Sequence, residues 1–312
     1  MDINQLRYFV AVADCGSFSK AAARCHVSQP ALSIQIQKLE SRLGKILLNR
    51  GHRRIVPTEA GYLLLPRARA ILAQIEEAKQ EVRSVDGRKT GNVLVGILMT
   101  LAPCFLIHVL NSFVELFPDI QVTLHETTTA LMLSMLDAGK LDMGITSLPI
   151  RDNGFETEIL FSEEMLLAFH PCHPLTRKQA ICKKDLESEK FILSKEDHCL
   201  GGCALLLYRR NNFSPRVVFQ CGHLATIQSL VAAGKGISLV PQTAIAEAVA
   251  PITYRQLENP RPKRSIAVVT KNKVPLKKTA QEFYQHLRQA SQTFKLPTTT
   301  NLKFSLSKKS KA

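Results

Sequence analysis

The densest chemistry in this 312-residue chain lies in Glu196-Asp197-His198-Cys199-Leu200-Gly201-Gly202-Cys203. A thiol reacts as its thiolate, so the question is what would ionise it. Cys199 stands at the start of a predicted helix over residues 204–210. The helix dipole and the neighbouring His198 both favour the charged form there. A second cluster, His170-Pro171-Cys172-His173, offers zinc-type ligands, as does His198-Cys199 with Cys203. Neither has the paired short spacings of a zinc site, so no metal and no cofactor is expected.

A different chemistry is written into residues 28–37. Ser28 is a good helix N-cap, and Gln29-Pro30 suits a first turn, where proline loses no needed donor. Leu32, Ile36, Leu39 and Leu43 repeat at spacings of four, three and four, so they form one buried stripe. Winding at roughly 100° per residue puts Pro30, Ser33, Ile34 and Gln37 on the opposite side. That face is small and polar with no acid on it. Amides and hydroxyls on a narrow helix suit the base edges of a DNA major groove.

Other elements must hold that helix in place. Ile3, Leu6, Phe9, Val10 and Ala13 predict a first helix over 3–13. Ser17 caps a second, alanine-rich helix through Arg24, and Gly44 closes the third. Residues 46–57 read as a two-stranded wing with Arg50, Arg53 and Arg54 near its tip, placed to meet phosphate or a minor groove. The net charge of +15 suits a polyanionic partner such as double-stranded DNA. No export signal opens the chain and no apolar run is long enough to span a bilayer, so a cytoplasmic protein is expected. Its eight cysteines are then reduced by default.

These residues carry a resemblance. Leu6-Arg7-Tyr8-Phe9, Gly16-Ser17-Phe18, Ala21-Ala22, Val27 to Ser33, Ile36, Leu39-Glu40, Leu43-Gly44, Leu47, Arg50 and Thr58 to Gly61 resemble the winged helix-turn-helix of LysR-type transcriptional regulators. The resemblance implies that Ser28, Gln29, Pro30, Ser33 and Gln37, with Arg50, Arg53 and Arg54, face promoter DNA. RNA polymerase is a further partner it implies. Ile34 and Gln37 stand where many relatives carry polar or basic side chains, so this helix has fewer phosphate contacts to offer.

The rest of the chain reads as an α+β multidomain protein. The winged helix-turn-helix (1–58) leads into a linker helix and hinge (59–91). Leu64, Ala68, Ile71, Ile75, Ala78, Val82 and Val85 alternate spacings of four and three, a seam that predicts a dimer. Pro66 should kink or loosen that helix. From 92 to 295, strand–helix alternation predicts parallel α/β sheets in two lobes. Strands are expected at 93–97, 120–124, 141–146, 217–219 and 237–241, with helices at 105–117, 131–138 and 224–233. The resemblance implies a periplasmic-binding-protein-like effector domain whose chain crosses twice, returning to the first lobe from about 267. It also implies a dimer or tetramer. Residues 296–312 read as a disordered basic tail.

Glu196 to Leu200, Leu124-His125-Glu126, Thr129, Gly139 to Asp142, Met165 to Ala168, Leu224, Thr226 and Val231 to Gly234 are similar to the peroxide-sensing branch of the family. That similarity implies that Cys199 attacks hydrogen peroxide, with Thr100, His125, Thr129, His198 and Thr226 around the effector. Such sensors pair this cysteine with another nine residues on, where this chain has Tyr208. Cys203 and Cys221 are then the candidate second thiols. The alternative is a small metabolite bound noncovalently between the lobes. A solute-binding protein is disfavoured by residues 1–61, and a thiol peroxidase by the lack of a Cys-x-x-Cys pair.

Overall fold

The computed structural model describes residues 1–50, 54–83, 90–194, 215–247, 251–258 and 261–298. The N-terminal head begins with a capping box. Asp2 accepts from the Gln5 amide, the Gln5 side chain accepts from the Asp2 amide, and α1 (Ile3–Cys15) follows. Gly16, at φ 63°, ends it. Ser17 caps α2 (Phe18–Arg24), and Ser28 caps α3 (Gln29–Leu43) by accepting from the Ala31 amide. Leu6, Phe9, Val12, Ala21, Ala22, Leu32, Ile36 and Leu39 share one core. Leu43 departs from the expected stripe: it is 42% exposed, because α3 ends there, beyond the core it would cover. The wing is an antiparallel pair, β1 (Leu48–Asn49) and β2 (Val56–Pro57). Arg53, expected near its tip, lies outside the described residues.

The long helix α4 (Glu59–Arg83) starts at Thr58, whose hydroxyl accepts from the Gly61 amide and donates to the Ile46 carbonyl. It runs on through Pro66, the residue expected to kink or loosen it, as one continuous helix. The seam divides in two. Leu64, Ala68 and Ile71 pack on the head's own core, while Ala78 is exposed and Val82 is 74% exposed.

The sheet is mixed rather than parallel. β3 (Gly91–Leu98) runs parallel to β4 (Ile120–Thr127) and β5 (Met143–Ser147) in the first lobe. It starts at Gly91, inside the expected hinge. A π-helical turn (Ala102–Leu106), α5 (Ile107–Leu116) and α6 (Thr129–Asp137) connect these strands. The long β6 (Phe155–Phe169) then crosses to the second lobe, where β7 (Lys190–Ser194) and β8 (Arg216–Cys221) form their own parallel pair. There too lie α7 (Leu224–Ala232), β9 (Ser238–Pro241) and β10 (Thr253–Arg255), both strands antiparallel to β6. Finally β11 (Lys263–Lys271) returns, antiparallel to both β6 and β5. The strand order is β10-β6-β11-β5-β3-β4, with β9 also on β6. One strand must leave the first lobe and another come back, so the two crossing strands oppose each other. Parallel pairing survives only within a lobe.

The return to the first lobe is as expected. Phe283, Leu287 and Ala290 of α8 (Lys278–Thr293) join Val93, Val95, Ile97, Phe105 and Phe113 in its core. Among the described residues no helix is long and apolar enough to cross a membrane.

The tightest approach in the head lies between α4 and the wing. A Cβ built on Gly61 would sit 2.1 Å from the Leu47 carbonyl oxygen. Alanine there gains about 1 kcal/mol of helix propensity, but the clash is with backbone and cannot be relieved by a rotamer. Gly61→Ala should therefore destabilise the head by about 1–3 kcal/mol, read as a lowered urea midpoint at unchanged slope.

Candidate functional sites: a DNA-reading helix and an inter-lobe cleft

On α3 the expected face is presented outward. Gln29, Pro30, Ile34 and Gln37 are exposed and Ser33 is half-buried. The reverse side is tied down: Gln35 accepts from Gln5, which is itself 1% exposed. Glu40 joins the helix to the wing. Its carboxylate accepts from the amides of Leu47 (2.9 Å) and Leu48 (3.2 Å) and from the Arg50 guanidinium (3.0 Å). Arg50 also lies 5.2 Å over the Phe18 ring. Its side chain thus lies against the head while remaining 39% exposed. Arg54 is exposed and packs against Gly16, whose carbonyl accepts from the Ile55 amide. Between helix and wing runs a groove of ≈ 540 Å³ lined by Gln37, Glu40, Ile46, Leu48, Asn49, Arg50 and Thr58.

In the effector domain, Thr100 follows β3 and Thr129 opens α6, so both sit at carboxyl ends of parallel strands. The Thr129 hydroxyl is 2.7 Å from that of buried Thr146 at the end of β5. Thr100 accepts from the Arg264 guanidinium at 3.1 Å. Arg264 on β11 stands directly across from Glu163 on β6. Its Nε is 2.8 Å and its Nη2 2.7 Å from Glu163 Oε1, and both side chains are 0% exposed. The other Glu163 oxygen accepts from the Thr243 amide of the second lobe at 2.7 Å. One buried ion pair therefore touches a threonine of the first lobe and backbone of the second.

Sequence reasoning missed this pair. Glu163-Glu164 and Lys263-Arg264 look like solvated charge. The available signal was alternation: Glu163 shares a strand face with buried Met165, and Arg264 with buried Ile266. His125 lies mid-strand on β4 opposite Gly96, and among the described residues no hydrogen bond joins it to Thr100 or Thr129. Thr226 is exposed in the first turn of α7. His198, Cys199 and Cys203 lie outside the described residues.

Of the described thiols, Cys25 is poorly suited to attack. Burial raises the Cys25 thiol above its ordinary range, with Arg24 and Arg7 opposing only in part. Cys182 points its S–H at Asp185, 3.3 Å away, a carboxylate held down at about 2 mainly by Lys178. Cys221 closes β8, directly opposite Ser194. For the ion pair, Glu163→Leu should strand a buried cation and lower stability by about 3–5 kcal/mol in urea unfolding. Replacing both partners with apolar residues of similar volume should recover most of that loss.

The comparisons with known proteins agree with this architecture. Residues 3–62 match the family model for bacterial regulatory helix-turn-helix proteins of the lysR family, and residues 86–292 match the LysR substrate binding domain. A hydrogen peroxide-inducible genes activator of Escherichia coli O6:H1 is 34% identical over 294 residues, which cover 92% of this chain and 95% of the relative. A full-length OxyR variant from Pseudomonas aeruginosa superposes with a TM-score of 0.76 at 27% identity, covering 92% of this chain and 95% of that one. Full-length CbnR in complex with its target DNA gives 0.64 at 27% identity, over 93% and 100%. With a lysR-type head at one end and the matching effector domain filling most of the remainder, the chain belongs to the LysR family of DNA-binding transcriptional regulators.

Proposed function

We propose that this protein is a peroxide-responsive transcriptional regulator, acting as a dimer or tetramer on promoter DNA and sensing through Cys199. The observation that carries the reading is the near full-length similarity to a relative named for hydrogen peroxide-inducible genes. The Cys199 thiolate attacks one peroxide oxygen, the O–O bond breaks, and hydroxide leaves to become water on protonation. The product is a sulfenic acid. A second thiol then displaces water from that sulfur and closes a disulfide. Thr100 and Thr129 supply hydroxyls at the strand ends where a small polar molecule would rest, which supports the reading. Cys203 and Cys221 are the two candidate partners. Cys221 faces Ser194, five residues before Cys199, a reach of up to about 17 Å of extended chain.

Ser28, Gln29, Pro30, Ser33 and Gln37 would face the major groove, with Arg53 and Arg54 at the flanking phosphates. The open stripe of Ala78 and Val82 supports the self-association. Ser33→Glu should abolish specific binding in a gel-shift assay, because a carboxylate there meets the negative groove. Unchanged affinity would remove the helix from its assigned role.

Intact and peptide mass spectrometry after a brief stoichiometric peroxide pulse tests the sensor. A fast, selective Cys199 sulfenic acid or a Cys199 disulfide is expected, with Cys25 and Cys182 untouched. Slow oxidation spread over all eight cysteines would overturn it in favour of a metabolite held noncovalently in the cleft.

A further inference from the structure

Asp14 is the next-to-last residue of α1, where a carboxylate faces the negative end of the helix dipole. Three cations converge on it from elsewhere. Arg24 of α2 lies 3.8 Å away, Arg69 of α4 pairs with it directly, and Lys140 of the effector domain stands at 3.7 Å. Arg69 does more than neutralise Asp14. Its second terminal nitrogen donates to the carbonyl of Ala138, the residue that caps the C-terminal end of α6. One guanidinium fork, 9% exposed, thus joins a carboxylate in the last turn of α1 to the C-terminal carbonyl of α6, across two domains. Packing seals the contact. Gly139 follows at φ 64°, and a Cβ there would lie 3.5 Å from the Arg69 Cβ.

The other end of α6 is Thr129, at the cleft. Nine residues separate the two ends, about 13 Å of rigid helix. The middle of α6 is seated closely on the sheet: a Cβ on Gly144 would be 2.4 Å from the Met132 sulfur, and one on Gly96 would be 3.0 Å from its Cγ. A helix so seated moves as one piece. Displacement at its cleft end reaches the Arg69 grip without any intermediate element.

We propose that α6 is the transmission element of this regulator, and that Asp14–Arg69–Ala138, with Lys140 beside it, is the latch that docks the DNA-reading head onto the effector domain. This rests on the regulator reading above, though not on peroxide as the signal. Releasing the latch frees the head to swing, which loosens the spacing of the reading helices.

The test uses the full-length chain and a DNA fragment selected in vitro with the wild-type protein, followed by fluorescence anisotropy. Lys140→Glu is the informative variant, because Lys140 lies outside the head and is 47% exposed. It should weaken DNA binding about fivefold or more, the size of a modest allosteric coupling. In an Asp14→Asn background the same substitution should change affinity less than twofold, since its partner charge is gone. Hydrogen exchange should quicken together at residues 138–140 and at the end of α1 in Arg69→Gln. Wild-type affinity in Lys140→Glu, or an equal effect with and without Asp14, would overturn the latch. If peroxide leaves the wild-type affinity unchanged while this cycle still shows coupling, the latch stands and the peroxide reading falls.

Discussion

The fully buried pair of Glu163 and Arg264 sits where both lobes draw on the same two strands. Taking two charges out of water is expensive, and the mutual attraction offsets it only with close geometry and further hydrogen bonds to the pair. Here the carboxylate also holds the Thr243 amide and the guanidinium also holds Thr100. The consequence is mechanical. β6 and β11 cannot slide past each other without separating a dehydrated ion pair.

The head has a comparable fixed point in Glu40. By gathering two wing amides and Arg50 it makes helix and wing a single body. Two rigid units joined by a long helix leave few places where a change in one can be felt in the other. Among the described residues, Arg69 is where the head and the effector domain touch through one side chain.

Much of the head was legible in the sequence because helix ends are local events. Ser17, Ser28 and Thr58 accept the amide hydrogens their types predict, and Gly16 and Gly44 take the left-handed conformation that stops a helix. The alternation of strands and helices was equally plain, but not the direction of the crossing strands, which is set by where two separate cores lie. Leu43 matched the helical period and yet stays exposed, because period says nothing of where a core ends. The long helix carries a seam with two uses: Leu64, Ala68 and Ile71 serve the head's core, while Ala78 and Val82 stay open. In the cleft, Thr100 and Thr129 were reachable only through resemblance. Glu163 and Arg264 were hidden because a charge buried by a partner a hundred residues away carries no local mark beyond strand alternation.

Ile34 stands half-exposed in the middle of the otherwise polar reading face. In a major groove an apolar side chain finds the C5 methyl of thymine. It detects the methyl group rather than the base that bears it. A 5-methylcytosine presents an equivalent surface, so under the proposed docking a preference set by Ile34 would be open to chemical editing of the DNA itself.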